Sequence, residues 1–272
     1  MATISFSDRE FKRIGDIMYE AAGLSYNDSK KSLIQSRLAP RIQRLGLAGF
    51  ADYIAILEDE SEVAEFQMAV DLLTTNETYF FREPKHYDLL QQELPALADK
   101  SAISVWSAAA SFGDEAYSTA MLLSDLQMSG RVGPNWSILA TDISHRVLLS
   151  AKEAVYPEDR LRAVSPDRLR RYCLRGEGPS QGQVLLQDKI RNRVQFGQLN
   201  LCKAFSGLGP FDVVFLRNVL IYFDLPTKTD VVDRVLATLK PGGLFFLGTA
   251  EGRVPCSTPL QTVIPGAFRK MT

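Results

Sequence analysis

The sequence of 272 residues is poor in the side chains that bind metals or form cross-links. It contains three cysteines, Cys173, Cys202 and Cys256, with no CxxC spacing among them, and only two histidines, His86 and His145. A disulfide-rich scaffold and a Cys/His zinc site are therefore not expected. We predict a protein whose chemistry uses neither a metal nor a thiol.

The chain also lacks long apolar runs and an excess of charge of one sign. No stretch approaches the roughly 18 apolar residues that span a bilayer, and residues 1–12 lack the apolar core of a signal peptide. Its 31 Lys and Arg residues nearly balance 32 Asp and Glu residues, for a net charge of −1, so nucleic acid is not expected as the main partner. We predict a cytoplasmic protein without membrane insertion.

Residues 1–90 are predicted to form a helical domain. A capping-box pattern at residues 7–10 starts a first helix, and apolar spacing predicts a second over 29–45. Arg37, Arg41 and Arg44 lie at i, i+4 and i+7 on one face of that second helix. That face is either a solvated surface or a binding surface for an acidic partner.

Residues 91–272 show a different pattern, in which short β-rich runs alternate with helical segments. The runs cover residues 103–106, 137–141, 194–196, 211–215 and 243–247, and the helical segments cover 114–129, 144–154 and 227–239. This alternation predicts a doubly wound, Rossmann-like α/β domain with a mostly parallel sheet. An Arg-rich segment at 158–192, with a strand-like run at 183–186, predicts a small inserted β-subdomain.

Ligands of open α/β sheets bind at the carboxyl ends of the strands, so the residues that follow each run are informative. The small-residue loop after the first run is not GxGxxG and has no P-loop Lys, which disfavours dinucleotides and nucleoside triphosphates. Asp114 and Glu115 would repel a phosphate, Asp142 is placed to bind ribose hydroxyls, and Arg217 and Asn218 follow a later strand. S-adenosylmethionine fits this set, unless these residues are only helix caps and strand ends.

Six ordered motifs resemble those of the CheR-type chemotaxis receptor methyltransferases. They are TTNETYFFRE (74–83), VWSAA (105–109), ATDI (140–143), LNL (199–201), FLRNVLIYF (215–223) and LKPGGL (239–244). The resemblance implies a class I methyltransferase domain after an all-α domain. It also implies transfer of a methyl group from S-adenosylmethionine to glutamate γ-carboxylates on cytoplasmic helices of chemoreceptors, which leaves S-adenosylhomocysteine.

The resemblance also implies roles for individual residues. Cofactor binding is implied for Asn76, Thr78, Arg82, Asp114, Glu115, Asp142, Asn200, Leu201, Arg217 and Asn218. Arg82 would pair with the methionine carboxylate of the cofactor, as a planar fork suits a planar anion. The family loop commonly reads Gly-Glu-Glu-Pro and here reads GDEA, which leaves open whether Asp114 or Glu115 makes the contact. Tyr222 would either face the methyl group or fill the core; with Arg82 it is our candidate for catalytic positioning.

The implied reaction needs few acid/base groups. A glutamate carboxylate has a pKa near ~4.3 and is already ionised at neutral pH, so no general base is needed. We therefore expect His86 to be a surface residue and His145 a loop residue. The resemblance gives Arg37, Arg41 and Arg44 a use in steering an acidic substrate helix, and it gives the inserted subdomain a use in binding a receptor's C-terminal pentapeptide by strand addition.

Two alternatives make different predictions. An oxidoreductase on the same sheet requires a glycine-rich first loop, whereas this loop contains the single Gly113. A catalytically silent sensor or scaffold of a related signalling pathway would have a damaged cofactor site, whereas the motif residues are present. Binding of S-adenosylmethionine discriminates both alternatives from a methyltransferase.

Overall fold

The structure is a computed structural model that describes residues 4–98 and 102–271. The helices are α1 (Asp8–Ala22), α2 (Lys31–Arg44), α3 (Phe50–Leu57), α4 (Val63–Leu73), α5 (Pro84–Ala98), α6 (Asp114–Met128), α7 (His145–Glu153), α8 (Pro166–Tyr172), α9 (Asp188–Arg191) and α10 (Leu225–Ala237). The strands are β1 (Ile103–Ser107), β2 (Trp136–Asp142), β3 (Val155–Pro157), β4 (Cys173–Arg175), β5 (Gln183–Leu186), β6 (Val194–Gln198), β7 (Phe211–Leu216), β8 (Leu239–Leu247), β9 (Leu260–Ile264) and β10 (Ala267–Lys270). Short 3-10 helices cover Asp28–Lys30, Glu158–Leu161, Gly178–Ser180 and Leu220–Tyr222.

Helix α1 begins and ends where the sequence predicts. The Ser7 hydroxyl accepts the amide of Glu10, and the Glu10 carboxylate accepts the amide of Ser7 at 2.7 Å, which completes the capping box. Gly23 ends the helix in the left-handed conformation, with φ of 69°. Helix α2 starts two residues later than predicted because Asp28–Lys30 forms a 3-10 turn.

The main sheet has seven strands in the order β6-β2-β1-β7-β8-β10-β9. The pairs from β6 to β8 are parallel, and β10 is antiparallel to both β8 and β9. The mostly parallel α/β sheet is therefore confirmed. The C-terminal hairpin of β9 and β10 was not predicted, because β9 is a partly exposed edge strand with polar Gln261 and Thr262 and has no continuous apolar run.

Side chains that alternate along the strands fill a core on each face of this sheet. Trp106 and Phe245 belong to one cluster, which also contains the buried residues of α1, α2 and α10. Their strand neighbours Val105 and Phe246 belong to a second cluster, together with residues of α5 and α6. The helical domain thus shares a core with one face of the sheet and lies beside the strand ends.

A separate three-stranded antiparallel sheet, in the order β3-β5-β4, lies between α7 and β6 in the chain. It begins at Val155, before the predicted segment 158–192. The Tyr156 hydroxyl donates to the carbonyl of Phe112 at 2.7 Å, and the Tyr172 hydroxyl donates to Asp125 at 2.6 Å, so both tyrosines attach the small sheet to the α/β domain. None of the helices in the described ranges is long and apolar enough to cross a membrane.

Candidate functional site

A cleft lies at the carboxyl ends of β1, β2 and β7. Clefts of open α/β sheets that bind small molecules lie at this end of the strands. The cleft is lined by Asn76, Thr78, Arg82, Glu115, Asp142, Asn200, Leu201, Arg217, Asn218 and Tyr222, which are all predicted site residues. Its other walls include Ala22 and Leu24 of the helical domain. The structure thus brings nine of the ten predicted cofactor residues, together with Tyr222, to one place.

The segment between the two domains, residues 74–83, forms one wall of the cleft. Side chains of the α/β domain donate hydrogen bonds to its backbone carbonyls. The Ser111 hydroxyl donates to the carbonyl of Asn76 at 2.8 Å, and the Arg217 guanidinium donates to the carbonyl of Arg82 at 2.5 Å. The Arg82 guanidinium donates to the carbonyl of Glu77 at 3.0 Å and keeps further donors. The wall therefore presents an arginine fork that can bind a carboxylate.

The two acidic residues at the start of α6 have different surroundings. Asp114 is fully buried outside the cleft and binds Arg160 through two hydrogen bonds of 2.7 and 2.9 Å. Glu115 lines the cleft, accepts the Ser107 hydroxyl at 2.7 Å and pairs with Arg217 at 3.0 Å. Burial raises the pKa of both carboxyls, against the effect of their arginines. Of the two alternatives that the sequence leaves open, only Glu115 faces the cleft.

Asp142 ends β2 at the bottom of the cleft. Its two carboxylate oxygens accept the amides of Ser111 at 2.8 Å and Ser144 at 2.9 Å, which fix the carboxylate in place. Burial raises the pKa of Asp142, and these amide hydrogen bonds oppose that change. A carboxylate has about four acceptor positions, so Asp142 can accept hydroxyl donors from a ligand in addition to the backbone amides.

A buried polar network lies beneath the cleft. Arg217 lies between Glu115 and Glu83, at 3.0 and 3.4 Å. His86 is only 1% exposed, lies 3.3 Å from Glu83 and bonds to the carbonyl of Pro265 at 3.1 Å. The expectation that His86 is a surface residue was therefore wrong: it is on the inward face of α5, where burial lowers its pKa. The expectation that His145 is a loop residue was also wrong, since it is the first residue of α7, where it is exposed.

The loop after β6 ties the cleft to the helical domain. The Asn200 side-chain amide donates to the carbonyl of Ala21 at 2.6 Å, and its oxygen accepts the amide of Cys202 at 2.9 Å. The carbonyl of Tyr222 accepts the amide of Ser25 at 3.0 Å. The Asn200 side-chain amide is thus engaged in a hydrogen bond between the domains, whereas Leu201 presents an apolar surface to the cleft.

The three arginines of α2 do not form one free basic surface. Arg37 donates to the carbonyls of Leu72, Leu73 and Thr74 at the end of α4. Arg41 binds Glu65 with two hydrogen bonds. Among the residues that the structure describes, only Arg44 of the three has an exposed side chain without a partner. Arg37 and Arg41 are half-buried and bonded to α4, so steering of a substrate by the three arginines stays a prediction, and Arg44 is the most accessible of them.

The groups around the cleft match the chemistry of S-adenosylmethionine. The ligand carries a carboxylate, an ammonium, a sulfonium and ribose hydroxyls, and it has no phosphate. The cleft offers Arg82 for the carboxylate, while Glu115 and Asp142 are acceptors suited to cations and hydroxyls. Glu115 at the start of α6 would repel a phosphate at the helix end where phosphates otherwise bind. The residues present therefore fit this cofactor.

Comparison with known proteins agrees with this class of site. Residues 76–263 match the family model described as "CheR methyltransferase, SAM binding domain", and residues 9–74 match "CheR methyltransferase, all-alpha domain". The fold and the site are thus those of an S-adenosylmethionine-dependent methyltransferase.

Individual relatives extend over most of the chain. A chemotaxis protein methyltransferase of Escherichia coli (strain K12) is 40% identical and covers 91% of this chain and 86% of its own. Chemotaxis protein methyltransferase 2 of Pseudomonas aeruginosa is 39% identical over 95% of this chain and 91% of its own. An O-methyltransferase family protein from Burkholderia thailandensis covers 80% of this chain and 62% of its own at 14% identity, but its TM-score of 0.39 is too low to inform on this fold. The chain belongs to the CheR methyltransferase family.

Proposed function

We propose that the protein transfers a methyl group from S-adenosylmethionine to the γ-carboxylate of glutamates on cytoplasmic helices of chemoreceptors, and that it acts in the cytoplasm. The proposal is carried by one observation: nine of ten cofactor positions expected from the family motifs line a single cleft. The names of the relatives, chemotaxis protein methyltransferases, support the substrate class. We propose a division of the chain into a helical domain, expected from the sequence over 1–90, and a methyltransferase domain, expected over 91–272 with 158–192 inserted. The packing of α5 (Pro84–Ala98) against the sheet favours a first boundary before Pro84, and the pairing of β3 with β5 favours an insertion that starts at Val155.

The residues of the cleft would divide the binding of the cofactor among them. Arg82 would bind the methionine carboxylate, Asp142 the ribose hydroxyls and Glu115 the ammonium group, since each is the complementary charge or acceptor. Leu201 and Asn218 would line the adenosine and methionine surfaces. When bound, S-adenosylmethionine supplies an electrophilic methyl group on a positively charged sulfur.

The side chains of this protein would position the reactants and exclude water. The attacking glutamate is ionised at neutral pH, so none of them has to remove a proton. Well-oriented reactants can gain up to roughly 7–11 kcal/mol from proximity alone. Tyr222, half-buried at the cleft, would orient the substrate carboxylate or the methyl group, together with Arg82.

The helical domain would present the substrate. Arg44 is the candidate for steering an acidic receptor helix, because its charge is exposed and unpaired whereas Arg37 and Arg41 are bound to α4. Arg37 would act indirectly, since it also donates to the Thr75 hydroxyl at 3.1 Å and so supports the wall that carries Asn76.

The inserted sheet would bind the receptor's C-terminal pentapeptide by adding a strand. The two edge strands of this sheet are β3 and β4. Pro157 of β3 lacks an N–H and cannot donate to an added strand, so β4 is the edge that can accept one. Gly176 directs its amide to Gln183 on β5, so the backbone groups of its neighbour Arg175 point to the open side. Exposed Leu174 offers an apolar contact beside that edge.

Calorimetry can test the peptide site with a proline substitution. Arg175→Pro removes the outward N–H and should abolish binding of a receptor C-terminal pentapeptide, while Arg175→Ala should retain it. No detectable heat with the unaltered protein at high peptide concentration would contradict this part of the proposal.

The methyl transfer itself is tested with labelled S-adenosylmethionine and membranes that bear chemoreceptors. Base-labile label on the receptor is expected, and receptors with the acceptor glutamates replaced by alanine serve as the control. A protein that binds S-adenosylhomocysteine but transfers no label to any receptor would favour the silent sensor. Absence of binding would exclude both.

A further inference from the structure

The loop after β7 has an uncommon backbone conformation at the cleft. Asn218 has a φ of 58°, in the left-handed region that few residues with a Cβ other than asparagine and aspartate adopt. Asn218 and Tyr222 both line the cleft, and a short 3-10 helix, Leu220–Tyr222, connects them. The position of both side chains therefore depends on whatever holds the backbone between them.

Glu251, 33 residues further along the chain, holds this backbone. One carboxylate oxygen accepts the amides of Asn218 at 2.8 Å and Gly248 at 2.7 Å, and the other accepts the amide of Leu220 at 2.7 Å. Glu251 makes no ion pair with any residue that the structure describes, and it does not line the cleft. Its charge is thus used on backbone amides, in hydrogen bonds of the charge-assisted kind.

The geometry around Gly248 shows how closely the end of β8 approaches this loop. A Cβ at Gly248 would lie 2.4 Å from the Asn218 side-chain nitrogen and 2.9 Å from the Glu251 carboxylate. Only glycine therefore allows the Glu251 carboxylate and the Asn218 side chain to occupy their present positions together.

We infer that Glu251 is a positioning residue for the methyl donor: it fixes the backbone of residues 218–220 so that Asn218 and Tyr222 are presented to the cleft before the ligand arrives. A prearranged site avoids the cost of ordering the loop on binding. This inference rests on the proposed function, and it adds a residue that lies outside the six family motifs.

The first test is Glu251→Gln, which keeps the size of the side chain. Glutamine offers one acceptor oxygen, and its NH₂ group then faces a backbone N–H. We expect hydrogen exchange of the Asn218 and Leu220 amides to become at least roughly tenfold faster in the ligand-free protein, since three charge-assisted bonds are weakened. Calorimetry should show an S-adenosylhomocysteine Kd that is higher by roughly 10- to 100-fold.

A second variant and a control separate this role from a general loss of stability. Gly248→Ala displaces the same loop without a change of charge, and we expect the same rise in Kd. Glu60→Gln replaces an exposed glutamate of the helical domain and should match the unaltered protein. For Glu251→Gln, the KM for the methyl donor should rise while the KM for the receptor substrate stays constant.

The outcomes are distinct. Lower melting temperatures for Glu251→Gln and Gly248→Ala with an unchanged Kd would overturn the inference, because the residue would then be structural only. Unchanged amide exchange together with an unchanged Kd would overturn it as well. If the unaltered protein binds no S-adenosylhomocysteine, the proposed function fails together with this inference, whereas normal binding by both the unaltered protein and Glu251→Gln overturns the inference alone.

Discussion

Asp114 and Glu115 are neighbours in the sequence, and the structure assigns them opposite sensitivities. Replacing Asp114 by alanine should lower stability and leave cofactor affinity almost unchanged, because Asp114 is buried outside the cleft against Arg160. Replacing Glu115 by glutamine should lower cofactor affinity, because its carboxylate lines the cleft.

The magnitude for Asp114→Ala follows from the ion pair it breaks. Loss of one partner of a buried ion pair costs about 3–5 kcal/mol. The partner Arg160 is 23% exposed and lies over the Phe112 ring at 4.6 Å, so water can partly solvate its freed guanidinium. We therefore expect about 3 kcal/mol, at the low end of that range. For a domain of 150–250 residues this corresponds to a fall in Tm of about 6–12 °C.

The magnitude for Glu115→Gln follows from the loss of charge in the cleft. A hydrogen bond to a charged group contributes about 1.5–3 kcal/mol, which corresponds to roughly a 10- to 150-fold rise in Kd. Glutamine keeps an acceptor for the Ser107 hydroxyl, and Arg217 keeps its second carboxylate partner, Glu83, at 3.4 Å, so the wall itself should persist.

Two assays give the comparison. Calorimetric titration with S-adenosylhomocysteine measures the Kd, and scanning calorimetry of the ligand-free protein measures the Tm. Asp188→Ala is the matched control, because Asp188 is 79% exposed and its one ion pair among residues 4–98 and 102–271 is with Arg191 in its own helix. The reasoning is refuted if Asp114→Ala raises the Kd as much as Glu115→Gln does, or if Glu115→Gln binds the ligand as the unaltered protein does.

Four other substitutions test the remaining assignments. Arg82→Lys should raise the Kd for S-adenosylhomocysteine about tenfold by loss of the fork, but should not change calorimetric binding of methylthioadenosine, which has no carboxylate. Asp142→Asn should weaken binding of S-adenosylhomocysteine roughly 10- to 100-fold. Burial raises the pKa of Asp142, so the unaltered protein should keep its affinity above that pKa and lose it as the pH falls through it. In calorimetry this loss should begin at a higher pH than the ~3.9 of a free aspartate predicts. Arg44→Glu should raise the KM for the receptor in a manner that added salt reduces, with little change in Tm. Arg41→Ala should lower stability by about 1–3 kcal/mol in urea unfolding, because it leaves the buried Glu65 carboxylate without its arginine.

The sequence predicts the parts of the fold in which local pattern and tertiary environment agree. The central parallel strands β1 and β7 are buried on both faces and appear as short apolar runs, of which β7 is the clearer, with all six residues buried. The capping box of α1 involves only residues 7–10, so the local sequence is sufficient to predict it. The C-terminal hairpin could not be predicted in this way. Strand β9 is stabilised by its pairing with β10, and the residue types of β9 alone do not reveal that pairing.

The site is predictable to the extent that strand topology determines it. Residues that follow parallel strands converge at one edge, so Asp142 and Arg217 could be placed together from the sequence. The direction in which the Asp114 side chain points could not be predicted, since it depends on the ion pair with Arg160, which lies 46 residues away on the inserted segment. The burial of His86 likewise depends on the C-terminal hairpin, because the Pro265 carbonyl in that hairpin is hydrogen-bonded to a ring nitrogen of His86.

The basic face of α2 shows why spacing alone does not identify a binding surface. Helical periodicity correctly puts three arginines on one side, but it does not say which neighbour covers them. Helix α4 contributes Glu65, and the Tyr53 hydroxyl of α3 also donates to that carboxylate at 2.8 Å, so Arg41 belongs to the internal structure of the domain. The Glu65 carboxylate thus neutralises part of the basic face within the fold. Of the three arginines, Arg44 keeps its charge available for a partner, which makes its reversal a more selective test of receptor recognition than a change at either of the other two positions.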